Sequence, residues 1–278
     1  MTTQNPLPRR RLLIALDRPG GDTPPVSVLL PDGAAAFPDI LPAVRAVADT
    51  LQDEASRTVA ELGQAVTCHL GCDACCHHLV VLGEAEALAL LRTLRGLPEA
   101  RRQQVLARFQ SGLARLEASG LLPRLFTVFT REAHDWRLVA ELQAAYWELA
   151  IPCPFLMDKA CGIYDERPLT CRQYAMTSPP AACLDPFGPQ ACLVKVLPPV
   201  DLAGAAAAFD GEQAHASRVL PLLLCLLLEP RLGQHGFPVL DPLPMLDRFL
   251  EFAAGHYSRK DPPPNMQSPP NIQSKDAP

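Results

Sequence analysis

The sequence predicts a mainly α-helical fold, an irregular helical domain with a small N-terminal β-hairpin. Three observations carry that expectation. Apolar residues recur every three or four positions over much of the chain, repeated strand–helix alternation is absent, and 30 prolines punctuate 278 residues, about twice the usual share. Proline fixes φ and gives up its N–H, so the chain is broken often by turns and extended connections. Hydrophobic residues make up 48% of the chain and charged residues 20%, with a formal charge of −5, the balance of a globular protein whose core needs no staples. No clustered basic face is visible, which removes nucleic acid from the expected partners.

Before residue 37, apolar stretches at 12–16 and 26–30 flank Pro19-Gly20-Gly21-Asp22, which suits a hairpin with a loose turn. Arg9-Arg10-Arg11 reads as the polar start of its first strand. The five apolar residues that follow are too few for the ~7–15-residue core of an export signal, and no small-residue cleavage site comes after them. Ile40, Val44, Val47, Leu51, Ala55, Val59, Leu62 and Val66 then keep helical spacing behind Asp39 as N-cap, predicting a long helix that delivers the chain directly to Cys68.

A helix over 84–94 should end before Gly96. Pro98 opens another, with Val105, Leu106, Phe109, Leu113 and Leu116 on one stripe and Gly120 just past its end. A further helix is expected over 131–150, burying Trp136, Val139, Leu142, Tyr146 and Leu149. Residues 151–200 hold no sustained period and are dense in Pro, Gly and Cys, so something other than backbone ladders must organise them. Helical patterning resumes over 201–228, with 219–228 as a buried helix, and again over 242–257. The run 219–228 is about half the ~20 residues of a membrane span and contains Pro221, so a membrane is not an expected partner. The chain divides into a hairpin segment at 1–36, a helical domain at 37–258, and a Pro-rich tail at 259–278 with too little apolar surface to fold.

Ten cysteines set the chemistry. Cys68, Cys72, Cys75 and Cys76 fall within nine residues, where stretches of two or three residues between thiols form turns that point them inward, helped by Gly71. A hydrophobic core uses isolated cysteines, so this cluster indicates a metal. Adjacent Cys75 and Cys76 point in different directions, so they serve different ions or one of them is not a ligand. With no export signal, the expected compartment is the reducing cytoplasm, where clustered thiols hold metal rather than pair as disulfides.

A second set follows: Cys153-Pro154-Phe155-Leu156, Cys161-Gly162-Ile163-Tyr164, Arg167-Pro168 and Cys171-Arg172. Over residues 66–176 the chain resembles the CxxCxxCC zinc- or iron-chelating family, the YkgJ-like cysteine-cluster proteins, whose pattern is a CxxCxxCC-type run followed by a CPFL…C.IY..RP..CR run. The second half matches closely. The first departs by having three residues rather than two between Cys68 and Cys72. The resemblance implies Cys68, Cys72, Cys75, Cys76, Cys153, Cys161 and Cys171 as ligands of a cysteine-rich metal site around which the domain is organised. Seven thiolates exceed one tetrahedral site, so the expectation is an iron–sulfur cluster with accessory thiols, or zinc ions sharing ligands. Metal binding would then supply the order that 151–192 lacks.

Cys183 and Cys192 are candidates for a second site that the family pattern does not demand. Cys225 reads as a small buried hydrophobe. His69, His77 and His78 weigh more as exposed or hydrogen-bonded residues than as nitrogen ligands. Arg167 and Arg172 are placed to neutralise the thiolates or hydrogen-bond their sulfurs, and Tyr164 and Pro168 to pack a turn.

The functional reading is a metal-binding protein with three developments. The first is a metal carrier or redox sensor. The second is a structural zinc module that presents a surface to another protein. The third is an enzyme similar to flagellin lysine N-methylase, the one reading that brings in S-adenosylmethionine. Cys68, Cys72 and Cys75 also have radical S-adenosylmethionine spacing, but a helix precedes them and Ala74 stands where an aromatic residue is usual. No Ser/His/Asp, paired-carboxylate or phosphate-loop constellation names a catalyst, and Glu84 and Glu86 read as first-turn helix charges.

Overall fold

The computed structural model describes residues 8–16, 25–130, 135–188 and 193–258. The expected hairpin loop at 17–24, the start of the expected 131–150 helix at 131–134, the candidate ligand Cys192 and the tail at 259–278 lie outside the described residues, as does the side chain of Trp136.

Strands β1 (Arg9–Ile14) and β2 (Val26–Pro31) pair antiparallel, Arg9 opposite Pro31 and Ile14 opposite Val26, which is the expected hairpin. Val26, Val28 and Leu30 of β2 point inward onto helix α1 (Phe37–Glu61). Helix α1 differs from expectation at both ends. Asp39 is its third residue rather than its N-cap, and its Oδ2 accepts the N–H of Ala36 at 2.9 Å, satisfying the donor at the true cap. At the other end, Gly63 N–H donates to Ala60 O and Gln64 N–H to Val59 O, each at 3.0 Å, with Gly63 at φ 76. This is a Schellman stop, open to glycine at no steric cost. Leu62, 75% exposed, and Val66 thus fall beyond the helix, and the chain reaches Cys68 through extended backbone rather than helix.

A 3-10 turn over Ala74–His77 and strand β3 (Val81–Gly83) lead into α2 (Glu84–Gly96), α3 (Glu99–Ala118), α4 (Leu121–Phe129) and α5 (Trp136–Trp147). Gly120 takes φ 72 just past α3, as its position predicts, and the chain turns directly into α4. Helix α4 has no counterpart among the expected elements, although Leu121, Leu125, Val128 and Phe129 all bury on one stripe. Short pieces then follow: β4 (Leu156–Met157), β5 (Ala160–Cys161), α6 (Leu169–Arg172), β6 (Ala175–Met176) and β7 (Lys195–Val196), with β4 paired to β5 and β6 to β7. The expected helical stretch over 201–228 is broken. Helix α7 (Leu202–Ala207) and a one-turn α8 (Cys225–Leu228) flank strand β8 (Val219–Pro221), which pairs antiparallel with β3. Pro221, lacking an N–H, closes that strand at its end, where the ladder loses least. The last helix, α9 (Pro242–Tyr257), has the expected bounds, with Asp241 capping the N–H of Leu243 at 3.2 Å. No helix among the described residues is long and apolar enough to cross a membrane.

Two large apolar clusters fill most of the interior, with two small ones beside them, at Ala55, Ala175 and Val196 and at Ala74, Met176 and Cys183. Of the large clusters, one joins α2 to α5 with Phe155, Ile163 and residues 220–228; the other joins the hairpin, α1, α7 and α9 with Leu169. The cysteine-bearing segment therefore crosses from one to the other between Ile163 and Leu169.

Gly83 joins β3 to α2 at the closest approach between these layers. A Cβ there would lie 2.9 Å from the backbone Cα of Ala207, whereas one at Gly96 would meet nothing within 4 Å. Gly83→Ala is expected to cost about 2 kcal/mol in urea unfolding, because backbone must move. Gly96→Ala, at an exposed helix position, should instead add about 0.5–1 kcal/mol through helix propensity. Equal effects of the two changes would show that the α7 contact is not tight.

Candidate metal centre

The first cysteine run is shaped by two consecutive turns. Cys72 N–H donates to His69 O at 3.0 Å around Gly71, whose φ of 90 favours glycine and accommodates the third residue between Cys68 and Cys72. The 3-10 turn over Ala74–His77 follows, with Cys76 N–H donating to Asp73 O at 2.9 Å. Cys75 and Cys76 thus sit on adjacent positions of one tight turn.

The second run is brought to the first by long-range bonds. Cys153 N–H donates to Cys76 O at 2.7 Å. Thr67 N–H donates to Met176 O at 2.8 Å, and Thr67 Oγ1 to Ser178 O at 2.6 Å, tying the residue before Cys68 to the strand after Cys171. Cys161 is aimed by the two-residue connection Asp158-Lys159 between β4 and β5. Both residues have positive φ, 46 and 61, the requirement of a primed hairpin turn. Cys171 rides on α6, whose first N–H, from Leu169, is accepted by Glu86 Oε1 of α2 at 2.7 Å. The 3-10 turn Pro180–Leu184, which carries Cys183, packs against the turn carrying Cys75 and Cys76.

These bonds bring the thiols into electrostatic contact. Cys75 acts on Cys68, Cys76, Cys153, Cys161, Cys171 and Cys183, while Cys72 acts on Cys68 and Cys183. The nine cysteines of the described residues are all free thiols. Burial pushes up the thiols of Cys161 and Cys171 and that of Cys153 to about 12; the neighbouring thiols add to this at Cys171, whereas the Phe155 N–H offsets it at Cys153 and the Ile163 N–H and the Arg167 charge offset it at Cys161. Cys75 goes down, because the Cys76 thiol donates to it. Sulfur packed against sulfur in this way resists ionisation until a cation supplies the opposite charge. The donor chemistry therefore fits thiophilic zinc or iron. Among the described residues, no three His, Cys, Asp or Glu side chains are arranged to hold a metal ion.

Other candidates separate cleanly. Cys225 stands outside the thiol set, fully buried, with its Sγ donating to Pro221 O at 3.9 Å, as a small buried hydrophobe should. The three histidines are engaged elsewhere. His69 Nδ1 lies 3.0 Å from Thr67 O and His77 Nδ1 3.2 Å from Asp73 O, while His78 packs among Trp147, Tyr174 and Phe187. Burial, then the charges of Lys195 and His77, push His78 down to about 4. Arg167 lies over the Tyr164 ring at 4.1 Å, and its charge favours the thiolates of Cys68, Cys75 and Cys161. Tyr164 is 55% exposed rather than packed in its turn, whereas Pro168 is buried. Arg172 is buried and gives its donors to oxygen: Asp49 on α1, Asp165 O, Tyr164 O at 3.5 Å and Arg167 O at 3.1 Å.

Glu84 and Glu86 are the main correction in this region. They occupy the first turn of α2, but both are buried, Glu86 at 1% exposure. Glu84 Oε1 accepts Gly233 N–H at 2.6 Å, and Glu86 caps α6 from outside. The signal was a Glu in register with Leu90 and Leu94, on the apolar stripe of α2.

Residues 67–191 match the CxxCxxCC family, described as "Putative zinc- or iron-chelating domain". The match takes in Cys183 and stops one residue before Cys192. No curated protein and no solved structure matches the chain.

Burial pushes the Glu86 carboxyl up, against the Leu169 N–H and the charges of Arg45 and Arg172. A carboxyl raised in the folded state stabilises the fold below its unfolded value and loses that contribution as pH rises through the folded one. Glu86→Gln keeps an acceptor for Leu169 and cannot ionise. The variant should therefore gain stability relative to the parent as pH rises above about 4, the unfolded carboxyl's range. Glu86→Ala, which strands the Leu169 donor, should lose about 2 kcal/mol. Parallel pH profiles of parent and Glu86→Gln unfolding would show that the carboxyl keeps its charge on folding.

Proposed function

We propose that the chain binds zinc or iron through thiolates drawn from Cys68, Cys72, Cys75, Cys76, Cys153, Cys161 and Cys171, as a centre that holds more than one ion. The observation that carries this reading is the backbone bonding that draws separate thiol-bearing segments together, Cys153 N–H onto Cys76 O and Thr67 onto Met176 and Ser178. A single tetrahedral ion uses four ligands, and the set is larger. Cys183, acted on by Cys68, Cys72 and Cys75, belongs to the same neighbourhood and is the accessory thiol of choice.

An iron–sulfur cluster is favoured over mononuclear zinc because the donors in both cysteine runs are sulfur and exceed the four of one tetrahedral ion. When bound, such a cluster supplies one-electron redox chemistry. The chain's own groups gather the thiols, lower their ionisation cost through Arg167, and order the backbone that carries them. A structural zinc centre is the second reading, favoured by the position of the second cysteine run across the two apolar clusters, where a closed site would staple them. Either centre suits the reducing cytoplasm, in which thiols stay free.

Protein purified without air is expected to carry iron with acid-labile sulfide and broad visible absorption; zinc without colour would support the structural centre instead. Cys75→Ser should lose most of the bound metal and Cys225→Ser none. Equal metal content in the two variants, or none in the parent, overturns the assignment.

A further inference from the structure

Helix α3 carries arginines at 101, 108 and 115, seven residues apart, a spacing that returns to nearly the same helix face every two turns. All three reach the same stretch of chain. Arg101 Nη2 donates to Gly162 O at 2.5 Å; Arg108 Nη1 donates to Leu156 O and lies 3.3 Å from Met157 Sδ; Arg115 donates to Leu149 O and, at 3.4 Å, to Ala150 O. The outer arginines stand about 21 Å apart along α3, and the stretch they reach passes from 149 to 157 and doubles back at Asp158-Lys159, so that Gly162 lies beside Phe155. Cys153 and Cys161 both lie on that stretch.

The contact is built on both sides. A Cβ at Gly162 would stand 2.8 Å from the backbone oxygen of Phe155 and from Arg101 Nη2, so the close return of the β4–β5 hairpin requires glycine where the guanidinium binds. A Cβ at Gly112, between the second and third arginines, would stand 3.2 Å from Ile151 Cγ2. Phe109, beside Arg108, meets Phe155 edge-on with centroids 5.8 Å apart and anchors the middle of the stretch in the core. The carbonyls at 149 and 150 belong to the turn just past α5, outside its hydrogen-bond ladder, and Arg115 supplies their donors.

We propose that Arg101, Arg108 and Arg115 are positioning residues for the metal centre. They clamp the backbone of 149–162 and set Cys153 and Cys161 in place by hydrogen bonds to backbone carbonyls. The clamp orders this stretch without metal, in place of the metal-dependent order that its composition suggests. The claim about the metal rests on the proposed function; the claim about order does not.

The test uses the full chain, stripped with a chelator and then titrated with zinc alone. In stripped protein, Arg108→Ala and Arg101→Ala should speed amide exchange over 153–162 about tenfold, with α9 unchanged. They should weaken zinc binding about tenfold, as loss of outer-shell support does. Arg108→Lys, which keeps a single donor, should recover part of both effects, and Arg115→Ala, at the exposed end, keeps the test open if an inner variant fails to fold. Unchanged exchange over 153–162 in every variant that folds overturns the clamp. Faster exchange with unchanged zinc affinity overturns its role in the metal centre. A parent that binds no metal overturns the proposed function, while exchange in the stripped protein still decides the clamp.

Discussion

Backbone carbonyls between residues 149 and 172 set the constraint on which the rest of this structure depends. A buried carbonyl without a partner costs free energy comparable to a lost hydrogen bond, and a Pro- and Gly-rich stretch cannot form the ladders that would supply partners. Here β4 and β5 pair over two residues each, and α6 is a single turn. Guanidinium groups take over: the three arginines of α3 serve 149–162, and Arg172 serves 164–167. Arginine suits this task because its forked donors reach several acceptors from one position and it holds its charge. Helix α3 and the pair of Arg172 with Asp49 on α1 thereby fix an irregular segment to two regular ones.

The same segment carries thiols, and burial raises the cost of ionising them at Cys153, Cys161 and Cys171. While protonated they are neutral and do not repel one another, so the scaffold of hydrogen bonds that orders the backbone holds them close without opposing any charge. Glu86 belongs to that scaffold. It holds the first N–H of α6 and accepts burial of a carboxyl near Arg45 and Arg172 to do so.

Local signals were readable and long-range ones were not. The hairpin, α2, α3 and α9 follow from apolar period together with Gly, Pro and Asp at their ends, because those signals act within a few residues. Helix α1 was overrun in the reading because apolar spacing continues to Val66, although Gly63 ends it. Residues 219–221 read as helix because their pairing with Val81–Gly83 joins parts of the chain far apart in sequence, which no window of residues can reveal. The site divides in the same way. Cysteine spacing announces the thiols, whereas the bonds that assemble them, Cys153 to Cys76 and Thr67 to Met176 and Ser178, join backbone groups that every residue possesses. Even the α3 arginines, evenly spaced in plain view, resemble a solvated helix face until the carbonyls opposite them are placed.

The position of the site bears on what a metal there would do. Phe155 and Ile163 belong to the apolar cluster of α2 to α5, and Leu169 to that of the hairpin, α1, α7 and α9. Cys153 and Cys161 pack against the first cluster, and Cys171 shares the single turn of α6 with Leu169 of the second. Ligands on one side alone would add stability to one cluster without changing how the two are joined. Ligands on both sides make the metal a cross-link, so its binding energy is expressed in the coupling of the clusters. The same geometry would carry any change in the centre, whether loss of an ion or change of oxidation state, to α1 through Arg172 and Asp49, to α2 through Glu86 and to α3 through the guanidinium clamp.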